Sequence, residues 1–194
     1  MDSATAHVPE TGSEKKREQL RMLWPARPRR AGPRVAVPRG YRLRQFREDD
    51  RAAYLRLMLR AGFEGWDEAR LNGMLLKVLP GGFFVAEEKA TGALAATAMA
   101  THNPSDLHPF GGELGWVAAD PDHRGRRLGR TVCAAVIRRF LDAGCERVYL
   151  KTDDWRLPAI RTYLDLGFEP FLYQDDMEGR WRAVREALGR PAGK

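Results

Sequence analysis

Residues 113–130 read Glu113-Leu-Gly-Trp-Val-Ala-Ala-Asp-Pro-Asp-His-Arg-Gly-Arg-Arg-Leu-Gly-Arg130. In physical terms this is a short strand to Ala119, a tight turn at Asp120-Pro121, a glycine-bearing loop and the first turn of a helix. A loop feeding a helix N-terminus aims unpaired backbone N–H groups at one point, and the helix dipole adds partial positive charge there. Gly125 and Gly129 remove side chains where a ligand must come close to the backbone. Arg124, Arg126, Arg127 and Arg130 crowd the same turn. The favoured ligand is therefore polyanionic, most simply a pyrophosphate, cradled by residues Arg124, Gly125, Arg126, Arg127, Leu128, Gly129 and Arg130.

Outward from this loop, the pattern alternates between strand and helix. Upstream, Tyr41–Gln45 alternates as a strand, and Glu48-Asp49-Asp50 offers N-caps for a helix to about Ala61. A second helix is predicted over Asp67–Val78, stopped by Leu79-Pro80-Gly81-Gly82. Phe83–Glu87 and Ala93–Ala100 read as a hairpin, followed by a polar loop from His102 to Gly112. Downstream, Val132/Cys133, Val136/Ile137 and Phe140/Leu141 repeat every four residues, one face of an amphipathic helix that Gly144 closes. Arg147–Thr152 is then a strand and Leu157–Leu166 a helix, ended by Gly167 as a left-handed cap. Phe171–Tyr173 can form a last strand and Glu178–Leu188 a terminal helix. The order β-α-α-β-β-β-α-β-α-β plus a C-terminal helix predicts an α/β (α+β) fold. It is a mixed twisted sheet of about six strands with helices on both faces.

The chain has 194 residues and a net charge of +7, but that charge is unevenly placed. Residues 1–47 carry 12 Lys and Arg against 4 Asp and Glu; residues 48–194 carry 21 against 22. The first 40 residues also hold Pro9, Pro25, Pro28, Pro33 and Pro38, with few regularly spaced apolar side chains. This composition predicts a basic, disordered arm over residues 1–40, dispensable to a domain spanning 41–190. Such an arm could touch nucleic acid, but its arginines are broken up by prolines and only Trp24 could stack on a base, so no nucleic-acid partner is expected. No apolar run approaches the roughly 18 residues that span a bilayer, and the start lacks a secretory pattern. Cys133 and Cys145 read as reduced thiols, so a cytoplasmic location is expected, with no membrane association. The four histidines and two cysteines show no ligand spacing, so no metal is expected.

The glycine loop resembles the acyl-CoA-binding signature Arg/Gln-x-x-Gly-x-Gly/Ala of the GNAT (Gcn5-related) N-acetyltransferases. Arg124 fills its first position and Gly129 its last, while Arg127 stands where the family usually has glycine. Arginine can serve there provided its φ stays negative. A second signature lies in Leu157-Pro-Ala-Ile-Arg-Thr-Tyr163-Leu-Asp-Leu-Gly167-Phe168, which resembles Asn-x-x-Ala-x-x-Leu-Tyr-x-x-x-Gly-Phe. Ala159, Tyr163, Gly167 and Phe168 match, whereas Arg156 replaces the Asn and Thr162 the Leu. The resemblance covers roughly residues 41–173, and the family's final hairpin looks shortened.

The resemblance implies acetyl-CoA as co-substrate, direct transfer to a primary amine in a ternary complex, and a sheet splayed between Glu113–Ala119 and Arg147–Thr152. Pantetheine would pair with backbone near Val117, Ala118 and Ala119, and Arg156 and Tyr163 would also meet the cofactor. Tyr163 stands where the family often has its general acid; a phenol, with a reference pKa near 10, can donate to a thiolate. Glu113 lies eleven residues before Arg124, the position of the base in histone-type members. Asp153 and Asp154 are expected to cap the following helix. The acceptor is a small-molecule or peptide amine and the protein a monomer or homodimer. The competing reading is a non-catalytic acyl-CoA-binding regulatory domain, argued by Arg127 and Arg156 at altered motif positions and opposed by the presence of both Glu113 and Tyr163.

Overall fold

The computed structural model describes residues 17–25, 32–109, 111–145 and 147–190. Seven strands form one open sheet: β1 (Leu20–Trp24), β2 (Tyr41–Gln45), β3 (Val78–Glu88), β4 (Leu94–His102), β5 (Gly112–Ala119), β6 (Val148–Thr152) and β7 (Glu169–Phe171). Their spatial order is β2-β3-β4-β5-β6-β1-β7. Five helices cover it: α1 (Arg51–Arg60), α2 (Glu68–Leu75), α3 (Leu128–Asp142), α4 (Leu157–Leu166) and α5 (Met177–Ala187).

The two sheet faces bury separate cores. Tyr54, Leu57 and Met58 of α1 and Leu71 of α2 pack with Phe83, Val85 and Met99. On the other face Val132, Val136, Ile137 and Phe140 of α3 pack with Ile160 and Leu166 of α4, Trp181 of α5 and the small residues Ala96, Ala98 and Ala100 of β4. The four-residue apolar step in α3 is thus the stripe that seats it on the sheet. The fit is tight at one crossing: a Cβ on Gly112 would lie 2.1 Å from the Phe140 ring. Gly167, at φ 109, ends α4 as its sequence suggests.

The largest departure from the sequence reading concerns the expected arm. Part of it, residues 1–16 and 26–31, lies outside the described residues. Within the rest, residues 20–24 form β1, which inserts antiparallel between β6 and β7 with Met22 opposite Leu150 on one side and Pro170 on the other. Leu20 and Met22 are fully buried and Trp24 is 4 % exposed. Trp24 meets the Phe168 ring edge-on at 5.5 Å. Residues 32–38 then run beside α3, where Thr131 Oγ1 donates to the Ala36 carbonyl at 2.7 Å. The domain boundary expected at residue 41 therefore moves, because Leu-Arg-Met-Leu-Trp carries a period-2 pattern that the surrounding basic, proline-rich composition hides. The C-terminal hairpin that looks shortened is completed from the other end of the chain, and the sheet has seven strands.

Smaller corrections are local. α2 ends at Leu75, and β3 begins at Val78 and runs through the expected stop at residues 79–82, with a register break before Phe83. β7 lies two residues earlier than expected, because Glu169–Phe171 pairs with β1.

Candidate active site

β5 and β6 run parallel and are paired only at Gly112–Val148 and Glu113–Tyr149; beyond these they part. On its other side β5 has a bulge: Met99 faces Gly115 and Thr97 faces Ala118, leaving two β5 residues opposite Ala98. Trp116 takes φ 53 there, a left-handed conformation rare for a bulky residue. A strand that is bulged on one edge and unpaired on the other leaves backbone groups free for a ligand. Strain of this kind collects at functional sites.

Two cavities open along this gap. The larger, about 980 Å³, lies over the glycine loop and is lined by Val117, Ala119, Arg124, Gly125 and residues 127–130, with α4 opposite. Asp120 shapes the loop by accepting from the Asp122 N–H at 2.9 Å, which caps the short helical turn Pro121–His123. Arg60 at the end of α1 grips Asp120 and Asp122, each at 2.6 Å. The Arg60 guanidinium holds the Asp120 carboxyl below its ordinary range. Cβ atoms at Gly125 and Gly129 would meet nothing within 4 Å, so the space over both is open. Open glycine backbone at the start of a 15-residue helix, with cationic side chains around it, fits a diphosphate.

Within this loop several expectations are revised. Arg127 does not keep a negative φ: it sits at φ 59 and ψ 21, the left-handed conformation that a glycine adopts without strain. Arg126 turns from the groove and donates to the Tyr41 hydroxyl. Its guanidinium lies 5.7 Å from the centre of the Tyr41 ring. Ala118 faces the α1–α2 core. His123 lines the groove while its Nδ1 lies 2.7 Å from the Tyr41 hydroxyl.

The smaller cavity, about 350 Å³, lies further along the gap. It is lined by Glu113, Trp116, Lys151 and Thr152 of β5 and β6 and, around them, by Phe63, Met74, Asn103 and Gln19. Arg156 lines this cavity and not the groove over the glycine loop. It pairs with Asp153 at 3.0 Å and lies 4.8 Å from the centre of the Phe63 ring. Asp153 also accepts from Gln19 at 2.9 Å, and Asp154 binds Arg180 of α5 at 2.6 Å. These two aspartates thus tie β6 to residues beside β1 and to α5, and the expected cap on α4 is not made, since no side chain caps it.

Glu113 is firmly held. Asn103 donates to one carboxylate oxygen at 2.6 Å, and the Lys151 ammonium lies 3.3 Å from the other. Tyr149, its partner on β6, donates to the Asn103 carbonyl at 2.5 Å. Burial, reinforced by the Glu113 charge, pushes the Tyr149 phenol up to about 12. His108 stacks on that ring with centroids 4.0 Å apart. Burial together with Arg21 and Lys151 pushes its imidazole down to about 4.

Tyr163 projects from α4 and, with Val117 and Ala159, lines both cavities. Burial is the main cause that holds its phenol well above the ordinary tyrosine value, and Cys133 nearby adds to it. The structure thus brings Glu113 into one cavity, the glycine loop into the other, and Tyr163 to their junction. Sequence reasoning missed Gln19, Phe63, Asn103, Trp116 and Lys151. Of these only Trp116 and Lys151 lie on strands already singled out. Among the described residues no cluster of His, Cys, Asp and Glu could hold a metal ion, and no helix is long and apolar enough to cross a membrane.

A profile of the acetyltransferase (GNAT) family matches residues 41–168. The chain belongs to the GNAT family. A mycothiol acetyltransferase of Saccharomonospora viridis is 30% identical over 149 residues, covering 71% of this chain and 48% of that protein. The chain spans only part of the length of such relatives: 48% of that one, and 32% of the mycothiol acetyltransferase of Thermobifida fusca, to which it is 36% identical over 107 residues. Among solved structures, glucosamine-6-phosphate N-acetyltransferase from Arabidopsis thaliana superposes with a TM-score of 0.55 at 20% identity, covering 69% of this chain and 95% of that one. The ribosomal-protein-S18-alanine N-acetyltransferase of Escherichia coli does so with 0.55 at 21% identity, covering 68% and 79%. These structures share the GNAT fold with this chain, while their names carry different acceptors.

Proposed function

We propose that this protein transfers an acetyl group from acetyl-CoA to a primary amine by direct attack in a ternary complex. The observation that carries this reading is the meeting of the two cavities at Val117, Ala159 and Tyr163. A donor in the groove over the glycine loop and an amine beside Glu113 can touch only there. Backbone N–H groups of residues 124–130 would hold the pyrophosphate, aided by Arg124, Arg127 and Arg130. Backbone around Val117, released from regular pairing by the bulge, would bind pantetheine and steady the oxyanion that forms at the thioester carbonyl.

An amine nucleophile arrives protonated at neutral pH. Glu113, fixed by Asn103, accepts one of its protons, and the freed lone pair attacks the carbonyl carbon. As the C–S bond breaks, Tyr163, kept protonated by its burial, donates to the departing thiolate, and the nitrogen releases its second proton as the amide forms. The acceptor is a small-molecule or peptide amine with an apolar portion that can lie against Phe63, Met74 and Trp116. The free thiols of Cys133 and Cys145 suit a reducing cytoplasm.

The test is a free-thiol assay over a panel of amines. Tyr163→Phe is expected to lower kcat well over tenfold, within the roughly 10²–10⁴-fold typical of general acid catalysis, while CoA affinity stays nearly intact. Glu113→Gln is expected to flatten the acid limb of the pH–rate profile. Near wild-type activity in the Tyr163→Phe variant would return Tyr163 to a packing role.

A further inference from the structure

Lys151 places a primary amine of the protein itself inside the acceptor cavity. Its ammonium lies 3.3 Å from Glu113 Oε1, where the amine of an acceptor must stand to give up a proton. The other carboxylate oxygen is occupied by Asn103, so Lys151 and an incoming amine compete for the same oxygen. Lys151 follows Tyr149 by two residues on β6, beyond the last β5–β6 pair, and lines the cavity that Tyr163 also lines. The choice of residue is informative. The chain has only six lysines, and the other ion pairs of the described residues use arginine as the cation. An arginine could neutralise Glu113 equally well but, always protonated, could not attack a thioester.

We propose that the protein acetylates its own Lys151 when acetyl-CoA is bound and no acceptor fills the cavity. The proposal rests on the roles given above to Glu113 and Tyr163. Glu113 takes one proton from the Lys151 ammonium, and Nζ attacks the thioester carbonyl. The N–C bond forms, the C–S bond breaks, and Tyr163 protonates the thiolate. The nitrogen loses its second proton as the amide forms. An ammonium and a thioester thus become an amide, a thiol and one released proton. The product carries no charge to pair with Glu113 and occupies part of the acceptor space, so acetylation of Lys151 lowers turnover of an external amine.

The test incubates the full-length protein with acetyl-CoA alone and maps acetylated lysines by peptide mass spectrometry over time. Lys77, an exposed residue at the same cavity, and Lys89, exposed on the β3–β4 turn, serve as internal references for uncatalysed acetylation. The expected result is first labelling at Lys151, which is less exposed than either, at a rate constant independent of protein concentration. That rate should fall at least about tenfold in Tyr163→Phe and in Glu113→Gln, with CoA binding by each variant checked by thermal shift. Labelling that tracks exposure, with Lys77 and Lys89 first, or an unchanged rate in both variants, overturns the proposal. Glucosamine 6-phosphate and an alanine-initiated peptide are assayed in parallel for thiol release. Turnover of either, together with an unmodified Lys151 in the incubation with acetyl-CoA alone, overturns self-acetylation alone, whereas failure to bind CoA overturns the underlying reading as well.

Discussion

The cofactor groove and the acceptor cavity share three residues but are assembled in different ways. The groove comes almost entirely from one continuous stretch, Val117 to Cys133, with a single helix, α4, facing it. The acceptor cavity draws on the segment before β1, the α1–α2 loop, the end of α2, the residues just before β3 and just after β4, the strands β5 and β6, and α4. A phosphate site needs backbone N–H groups and a helix start, and a contiguous motif supplies both. An amine site needs a base, a partner to hold it and a shaped wall, and the fold gathers these from distant positions.

The sharpest way to break the comparison is at β1, which belongs to the side-chain-built half. Removing residues 1–33 takes away a strand flanked on both sides, so that chain is expected not to fold, as judged by circular dichroism and thermal melting. Trp24→Ala is the milder version and is expected to cost about 3–5 kcal/mol, the usual range for emptying a buried Trp site. A chain beginning at Arg34 that melts like the full protein would restore the reading of residues 1–40 as a dispensable arm.

His108 offers a smaller, pH-dependent handle on the same half. Its folded pKa lies near 4, below the ordinary 6.5, so between these values the unfolded chain binds the extra proton and stability falls as pH falls. The slope it contributes is at most about 1.4 kcal/mol per pH unit. Above pH 6.5 the contribution is fully present. His108→Phe is expected to flatten the stability curve between pH 6.5 and 4, measured by urea denaturation; an unchanged slope would show that the ring titrates freely in the folded state. Below that window Asp120 and Asp154, held low by Arg60 and Arg180, add a further loss on acidification toward pH 3.

In the backbone-built half the expected effect is smallest. Arg127→Gly places glycine at φ 59, relieving roughly 1 kcal/mol of left-handed strain, so it is expected to raise Tm slightly and to keep CoA binding. A fall in both would mean that the Arg127 side chain is itself a principal phosphate ligand.

How much of this was legible in sequence follows the same division. The period of α3, the Gly167 cap and the glycine loop are local signals, and the structure places them where the residues put them. Glu113 and Tyr163 stand out in sequence through their offsets from two motifs, and both line the smaller cavity, which their spacing did not indicate. β1 was hidden because five alternating residues within a basic, proline-broken stretch carry less signal than the composition around them, and because pairing with β6 across more than 120 residues leaves no trace in spacing. Arg126 shows the reverse failure: it sits within the motif but is drawn away by Tyr41, some 85 residues earlier. Asn103 and Lys151 were invisible because their importance lies only in their distance from Glu113.

The central claim is that acetyl-CoA occupies the groove over residues 124–130. Its most direct test is a calorimetric titration of CoA into the wild-type protein and into Gly129→Glu. Open space around Gly129 means the variant should fold and melt normally, while its carboxylate stands against the pyrophosphate. The account predicts saturable 1:1 binding by the wild type and none by the variant; equal binding by two folded proteins would contradict it.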